Sequence, residues 1–298
     1  MKLSARRALR LAGALFVGAL LAGECTVRLL GYVDFPVYDA DARIGYIPKA
    51  GQRGSFMNKN DWVVNEHHMG AEAFVPGKDG NVLLVGDSVV WGGNPYAQPD
   101  RLGPRLQALV KARVWPIAAG SWGLQNQVTY LNDNPGVVRA VDTIVFVSNS
   151  GDFGEPSSWT CELSHPQQRP LLALVYLARK YVLKQVCPSE PAAAMAVPRQ
   201  DPVALLKAFV QSHVDKRVMI VLYPNKAELD DTGLLGQQVD SLVPLLQGAG
   251  VREIVRVGTD PDWQGHLQHY RDNVHPTPQG NAVLAAIIAR QLRAGESR

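Results

Sequence analysis

The sequence predicts an α/β protein built on a parallel sheet with helices on both faces. Two observations carry this. Short, nearly continuous apolar runs recur along the chain, and stretches with helical spacing separate them. Strands buried on both faces read as unbroken apolar runs, whereas half-exposed strands alternate. The composition agrees: 298 residues, 46% hydrophobic and 19% charged, with 27 Gly and 20 Pro, suit one or two globular domains. Disordered tails, collagens and coiled coils are excluded.

The elements follow from the N-terminus. Residues 1–10 are basic, and 11–23 (LAGALFVGALLAG) are uncharged and apolar. Residues 11–23 alone would span roughly 20 Å as a helix, short of the roughly 30 Å of a bilayer core. A cleaved secretory signal is therefore one reading. Against it, Glu24 and Cys25 occupy the place of a cleavage site, and Glu24 also spoils a lipoprotein signal. The apolar pattern resumes at Val27, Leu29 and Leu30, and Glu24 and Arg28 stand four apart, where they can pair. An uncleaved helix over roughly 9–30 is the favoured reading, and a buried soluble helix the third. Basic residues ahead of such a span place the N-terminus in the cytoplasm. The expected location is thus the inner membrane, single-pass, with the body facing the periplasm.

Residues 32–80 read as a small irregular or β-rich lead-in, with extended pieces at 44–47 and 62–65. From residue 81 strands and helices alternate. Strands are expected at 82–86, 114–119, 143–147, 217–223 and 253–257. Helices are expected at 101–111, 127–138, 202–214, 234–249 and 278–292, the last with Thr277 as cap and Pro278 in first position. Five strands in this order make a flavodoxin-like three-layer α/β/α sandwich over 81–298, with an insertion at 153–200. Cys161 and Cys187 flank part of that insertion. In an oxidising compartment they are expected to join, a bond worth about 3–4 kcal/mol in the chain-entropy account; two unrelated thiols are the alternative. The segment 171–183 between them reads as a packed helix, with a lid or membrane-hugging helix as the other options.

In such a fold the binding crevice lies at the carboxyl ends of the strands. Strand one ends in Gly86-Asp87-Ser88, strand two in Ala119-Gly120-Ser121-Trp122-Gly123, strand three in Ser148-Asn149-Ser150-Gly151-Asp152, and the last helix follows Asp272-Asn273-Val274-His275-Pro276. A serine, amide donors and an Asp/His pair are the parts that acyl transfer needs. A serine hydroxyl attacks only when a base takes its proton. Asp272, three residues before His275, can accept Nδ1–H and leave Nε2 for Ser88. Each part alone has a bland reading: GDS is a common turn, His275 or Asp272 could cap the last helix, and Asn149 could be a turn residue. Asp152 reads as a loop cap. His266 and His269 lack the glutamate of a metalloprotease helix, so no metal is expected. Trp91, Trp122, Trp159 and Trp263 lie near the crevice in sequence, and at least one is expected to line it.

These residues resemble the SGNH (GDSL-like) hydrolase superfamily over 81–292. The resemblance implies Ser88 as nucleophile with Asp272 and His275 completing the triad. It also implies an oxyanion hole of the Ser88 N–H, a glycine N–H after strand two and the Asn149 side chain. The second block is the atypical one: the usual Asn-x-Gly-x-x-Gly reads here as Pro116-Ile117-Ala118-Ala119-Gly120-Ser121, so Gly120 is the first choice and Gly123 the fallback. Ser150 stands where the family usually has Asp. The N-terminal layout is similar to anchored members found with bacterial surface-polysaccharide loci. The implied activity is a serine esterase on O-acyl, chiefly O-acetyl, esters of envelope or extracellular glycans, without cofactor. An O-acetyltransferase using the same acyl-enzyme and a non-catalytic glycan-binding assembly factor are the alternatives; a lipase lacks an apolar acyl tunnel in the sequence. Expected partners are the acylated glycan, the inner membrane and polysaccharide-assembly proteins. Nucleic acid is not expected, because Lys2, Arg6, Arg7, Arg10 and Arg28 against Glu24 give the N-terminus +4, and the rest of the chain is close to neutral within the net +3.

Overall fold

In a computed structural model, which describes residues 5–296, the chain opens with helix α1 (Ala5–Leu29) and two β-hairpins. The hairpins pair β1 (Tyr38–Asp41) with β2 (Gly45–Pro48) and β3 (Gln52–Phe56) with β4 (Asn60–Val64). They make up much of the expected lead-in, and Met57 and Asn58 turn the second one with positive φ.

Then come β5 (Asn81–Gly86), α2 (Ser88–Trp91), α3 (Leu102–Gln107), β6 (Arg113–Ala118), α4 (Leu124–Asp133), α5 (Pro135–Ala140) and β7 (Thr143–Ser148). The insertion carries α6 (Ala173–Leu177), continued by one π-helical turn over Ala178–Val182. The chain ends with α7 (Pro202–Ser212), β8 (Arg217–Leu222), α8 (Lys226–Asp230), α9 (Thr232–Gly248), β9 (Glu253–Arg256) and α10 (Pro278–Glu296).

Strands β5 to β9 form one parallel sheet in the order β6-β5-β7-β8-β9, the flavodoxin-like arrangement. Side chains leave a strand alternately to its two faces, so each apolar run feeds two cores. Leu83, Val85, Ile144, Phe146 and Ile220 enter the core that also holds Leu131, Leu206 and Leu246. Val82, Leu84, Val145, Val147, Met219 and Val221 enter the core that holds Leu102, Leu284 and Ile288. Each such side chain contributes about 1.5–3 kcal/mol of burial. From β5 the chain goes outward to β6 and returns to β7. The switch point therefore lies between the carboxyl ends of β5 and β7, which Ser88 and Asn149 follow.

Three helix expectations need correction. The helix expected at 127–138 is two, α4 and α5, broken at Asn134-Pro135, where proline cannot donate to the preceding turn. The helix expected at 101–111 ends at Gln107, whose side chain instead bonds Val114 N–H and Ala112 O across to β6. Helix α8 was not expected; Asn225 and Glu228 close a capping box around it. Thr277 does cap the last helix, its hydroxyl accepting Gly280 N–H at 3.0 Å. Cys161 and Cys187 are joined, with Cα atoms 5.6 Å apart. That bond borders a third, smaller core of Val33, Phe35, Leu163, Ala173 and Tyr176.

Candidate active site

Ser88 opens α2 directly after β5. The tight strand-to-helix turn needs Gly86, because a Cβ there would stand 2.5 Å from Val90 Cγ2 and 3.0 Å from the Val147 carbonyl. Asp87 caps α2, its buried carboxylate accepting Val89 N–H at 2.8 Å. The hydroxyl of Ser88 is thereby held at the end of a rigid strand.

His275 reaches it from the loop before α10. Nε2 lies 2.9 Å from Ser88 Oγ, and Nδ1 lies 2.9 Å from each carboxylate oxygen of Asp272. Asp272 Oδ1 also accepts the N–H groups of His275 at 2.8 Å and Val274 at 3.0 Å. Partial burial pushes the Asp272 pKa up. The two backbone N–H groups, the His275 ring and its charge outweigh that, and hold the carboxyl well below the usual carboxylate range. An ionised carboxylate only accepts, so Nδ1 carries the hydrogen and Nε2 presents its lone pair to Ser88.

The loop itself is fastened on several sides. The Tyr96 hydroxyl donates to Pro276 O, the Tyr223 hydroxyl to Val274 O at 2.8 Å, and Lys226 N–H to Asn273 O at 2.7 Å. Arg271 lies over the Tyr96 ring, 5.1 Å from its centroid. None of these tyrosines stood out in the sequence, because each acts through a contact dozens of residues away.

Asn149 follows β7 and faces the same turn. Its Nδ2 lies 3.2 Å from Asp87 Oδ2 and 3.2 Å from Asp152 Oδ1, while its Oδ1 accepts Gly151 N–H at 2.8 Å. Asp152 closes a capping box with Asn149, as its loop-capping reading expects. Burial, and the charge of Asp87 nearby, push Asp152 well above the ordinary carboxylate range, and burial raises Asp87 too. A carboxyl raised by folding favours the folded state at low pH, and that contribution is lost as pH rises through the raised value. We expect wild-type Tm to fall as pH rises above the ordinary carboxylate range, and Asp152→Asn, which stays neutral, to flatten that fall. Parallel slopes in the two proteins would mean that Asp152 carries no such linkage.

Gly120 lies after β6, its carbonyl accepting the Tyr46 hydroxyl at 2.6 Å. Gly123 N–H is taken by Asn126 Oδ1 at 3.1 Å as α4 begins. Gly123 is buried and its N–H is engaged within α4's first turn, whereas Gly120 is half-buried. The imidazole of His165, from the insertion, stands over it: Nε2 would be 3.9 Å from a Cβ on Gly120. That ring stacks on Tyr46 with centroids 3.7 Å apart. Burial, helped by the charge of Lys180, pushes its pKa down to about 4, so it is neutral at physiological pH.

Of the four tryptophans near the crevice in sequence, three lie away from the surface. Trp91, Trp122 and Trp263 are buried in the two main cores, and Trp122 and Trp263 each donate an indole N–H there. Trp159 is half-buried and donates to His165 O at 2.7 Å, which positions His165. His266 and His269 are neighbours with rings 5.3 Å apart, and His269 packs on Trp263.

No protein-family model and no curated protein matches the chain. Solved structures resemble it at low identity. One is an α/β hydrolase from the metagenome of Lake Arreo, 13% identical, covering 73% of this chain and 95% of its own, with a TM-score of 0.44. Another is a putative lipolytic protein of the G-D-S-L family from Desulfitobacterium hafniense, 12% identical, covering 70% and 98%, TM-score 0.44. A third is a carbohydrate acetylesterase from Sinorhizobium meliloti, 17% identical, covering 72% and 98%, TM-score 0.39. Likenesses this distant carry no weight for activity.

Proposed function

We propose that the chain is a serine esterase of the SGNH type that hydrolyses O-acyl esters, chiefly O-acetyl esters, of envelope glycans. The observation that supports it most is the Ser88 Oγ···Nε2 distance of 2.9 Å on a histidine whose Nδ1 is held by Asp272.

In this reading Ser88 Oγ attacks the ester carbonyl carbon and its proton passes to His275 Nε2. The negative charge on the former carbonyl oxygen is met by the N–H groups of Ser88 and Gly120 and by Asn149 Nδ2. As the C–O bond to the sugar breaks, His275 returns the proton to the leaving hydroxyl. A water then gives a proton to Nε2 and attacks the acyl carbon; the bond to Ser88 Oγ breaks, the free acid leaves, and Nε2 returns the proton to Ser88. Asp272 keeps Nδ1 protonated and stabilises the imidazolium in both steps. Asn149 gives up one of its bonds to Asp87 or Asp152 and turns Nδ2 to the oxyanion as charge develops there.

The side chains of His275 and Asp272 are 30% and 45% exposed. Water reaches the base, which favours hydrolysis over transfer to a sugar hydroxyl. Turnover of p-nitrophenyl acetate by the full-length protein, with and without acetylatable glycans, tests this: acceptor-independent release supports the esterase, and release only with acceptor makes it a transferase. No turnover under either condition leaves only a binding protein. Asn149→Ala should lower kcat about 100- to 1,000-fold with little change in KM, as removal of an oxyanion donor does. A change confined to KM would give Asn149 a binding role instead.

Among the described residues one helix segment, Leu9–Leu29, is long and apolar enough to cross a membrane. The basic residues before it support an inner-membrane anchor with the sheet domain in the periplasm, where Cys161 and Cys187 could be oxidised, and where polysaccharide-assembly proteins would be its partners.

A further inference from the structure

We propose that residues 170–186 of the insertion form a foot seated in the membrane interface, its partner being the lipid bilayer itself; the inference rests on α1 spanning that bilayer. The attachment is direct. Glu24 of α1 caps α6, its two carboxylate oxygens accepting Ala173 N–H at 2.8 Å and Leu174 N–H at 2.9 Å. Arg28 donates to the carbonyls of Pro170 and Leu171 at 2.9 and 2.8 Å and pairs with Glu24 at 2.7 Å. Gly23 lets the Leu174 side chain come close, with 3.1 Å between Cδ1 and the position of a Cβ. The polar groups of Glu24 and Arg28 thus satisfy one another and the foot, an arrangement suited to a low-dielectric boundary.

The depth agrees. Leu9–Leu29 is 21 residues, roughly 31 Å at the helical rise, against a hydrocarbon core of roughly 30 Å. Glu24 lies about 7 Å inside the far end of that span. Amphipathic helices of membrane interfaces sit about 5–10 Å into the headgroup–acyl boundary.

The surface chemistry also agrees. α6 turns Ala173 and Tyr176 into the small core and leaves Leu172 and Val175 outside. Leu171, Val182 and Val186 are 88%, 76% and 89% exposed, a poor arrangement in water for side chains of this kind. Arg179 and Lys184 lie among them on the exposed side, cations suited to anionic headgroups. Beside the foot an apolar recess of about 380 Å³ opens between Tyr32, Phe56, Met57, Leu177 and Tyr181. The same insertion carries His165 to Gly120, so a foot in the interface holds the crevice near the bilayer surface.

The test uses the full chain in anionic-lipid nanodiscs, with Cys25→Ser removing the free thiol and the Cys161–Cys187 bond kept. Nitroxides are placed singly by Leu171→Cys, Val182→Cys, Phe16→Cys in α1, and Val214→Cys, an exposed site after α7. Unchanged p-nitrophenyl acetate turnover in each labelled chain reports folding. Labels at 171 and 182 should favour collisions with oxygen over a water-soluble nickel chelate several-fold relative to 214, with 16 higher still. If 16 reads as lipid and 171 and 182 read as 214 does, the foot is refuted and the anchor stands. If 16 itself reads as aqueous, the spanning reading falls and the foot with it. Spin–spin broadening at 171 or 182 between chains would assign the face to a second copy and overturn the lipid proposal.

Discussion

Ser88→Ala is expected to lower kcat for ester turnover by about a million-fold, with the fold intact. The magnitude follows from the interdependence of the parts: without the hydroxyl, His275 has nothing to deprotonate and the oxyanion donors have no covalent intermediate to serve. Ser88 is half-buried at the start of a four-residue helix, and the turn is held by Asp87 and Gly86 rather than by its own side chain. The circular dichroism spectrum and Tm should therefore match the parent. Retained turnover in a folded Ser88→Ala protein would remove Ser88 from the chemistry.

Asp272→Asn carries the second-largest effect, a fall in kcat of about 10⁴-fold. An asparagine Oδ1 can still accept the N–H groups of His275 and Val274, so the turn survives and the stability loss should stay near about 1 kcal/mol. What fails is the ring: an amide neither fixes the Nδ1–H tautomer nor stabilises an imidazolium. A pure capping role for Asp272 predicts a similar loss of stability but near-normal kcat, so kcat separates the two. The pH dependence adds a check. Folding lowers the Asp272 pKa, so its contribution to stability is present above the ordinary carboxylate value and is lost as pH falls toward the lowered one. The Tm gap between parent and variant should be widest near neutrality and should close below about pH 4.

The sheet was legible because its chemistry is local. Strands with both faces covered must be apolar at every position, so VLLVG at 82–86 and TIVFV at 143–147 announce themselves, and the structure moves their ends by a residue or less. Ser88, Asn149, Asp272 and His275 were legible for the same reason, since each sits in a short segment at the end of an element whose position the apolar pattern fixes. The environment of those side chains was not. That Asn149 is shared between Asp87 and Asp152 depends on a 62-residue separation, and no periodicity encodes it. Tyr46 and His165 come from a hairpin and an insertion with no regular pattern, and meet over Gly120 only through tertiary packing. Three of the four tryptophans near the crevice in sequence went to the cores because their size favours burial, and Trp122 and Trp263 satisfy their indole N–H groups there. The bond from Gly123 N–H to Asn126 Oδ1 is a helix-start detail that the atypical block around Ala118 and Ala119 does not advertise.

The central claim is that Ser88, activated by His275, carries the acyl group through a covalent intermediate. The most direct measurement is rapid acid quenching of the full-length protein with p-nitrophenyl acetate, followed by peptide mass spectrometry to find the acetylated residue. The account predicts an acetyl group on the peptide containing Ser88 and located at Ser88 by fragmentation, formed in the same phase as the first turnover. It predicts none in Ser88→Ala, and strongly slowed formation in His275→Ala. An acetyl group accumulating with turnover at any other residue, or turnover with Ser88 never modified, would contradict it.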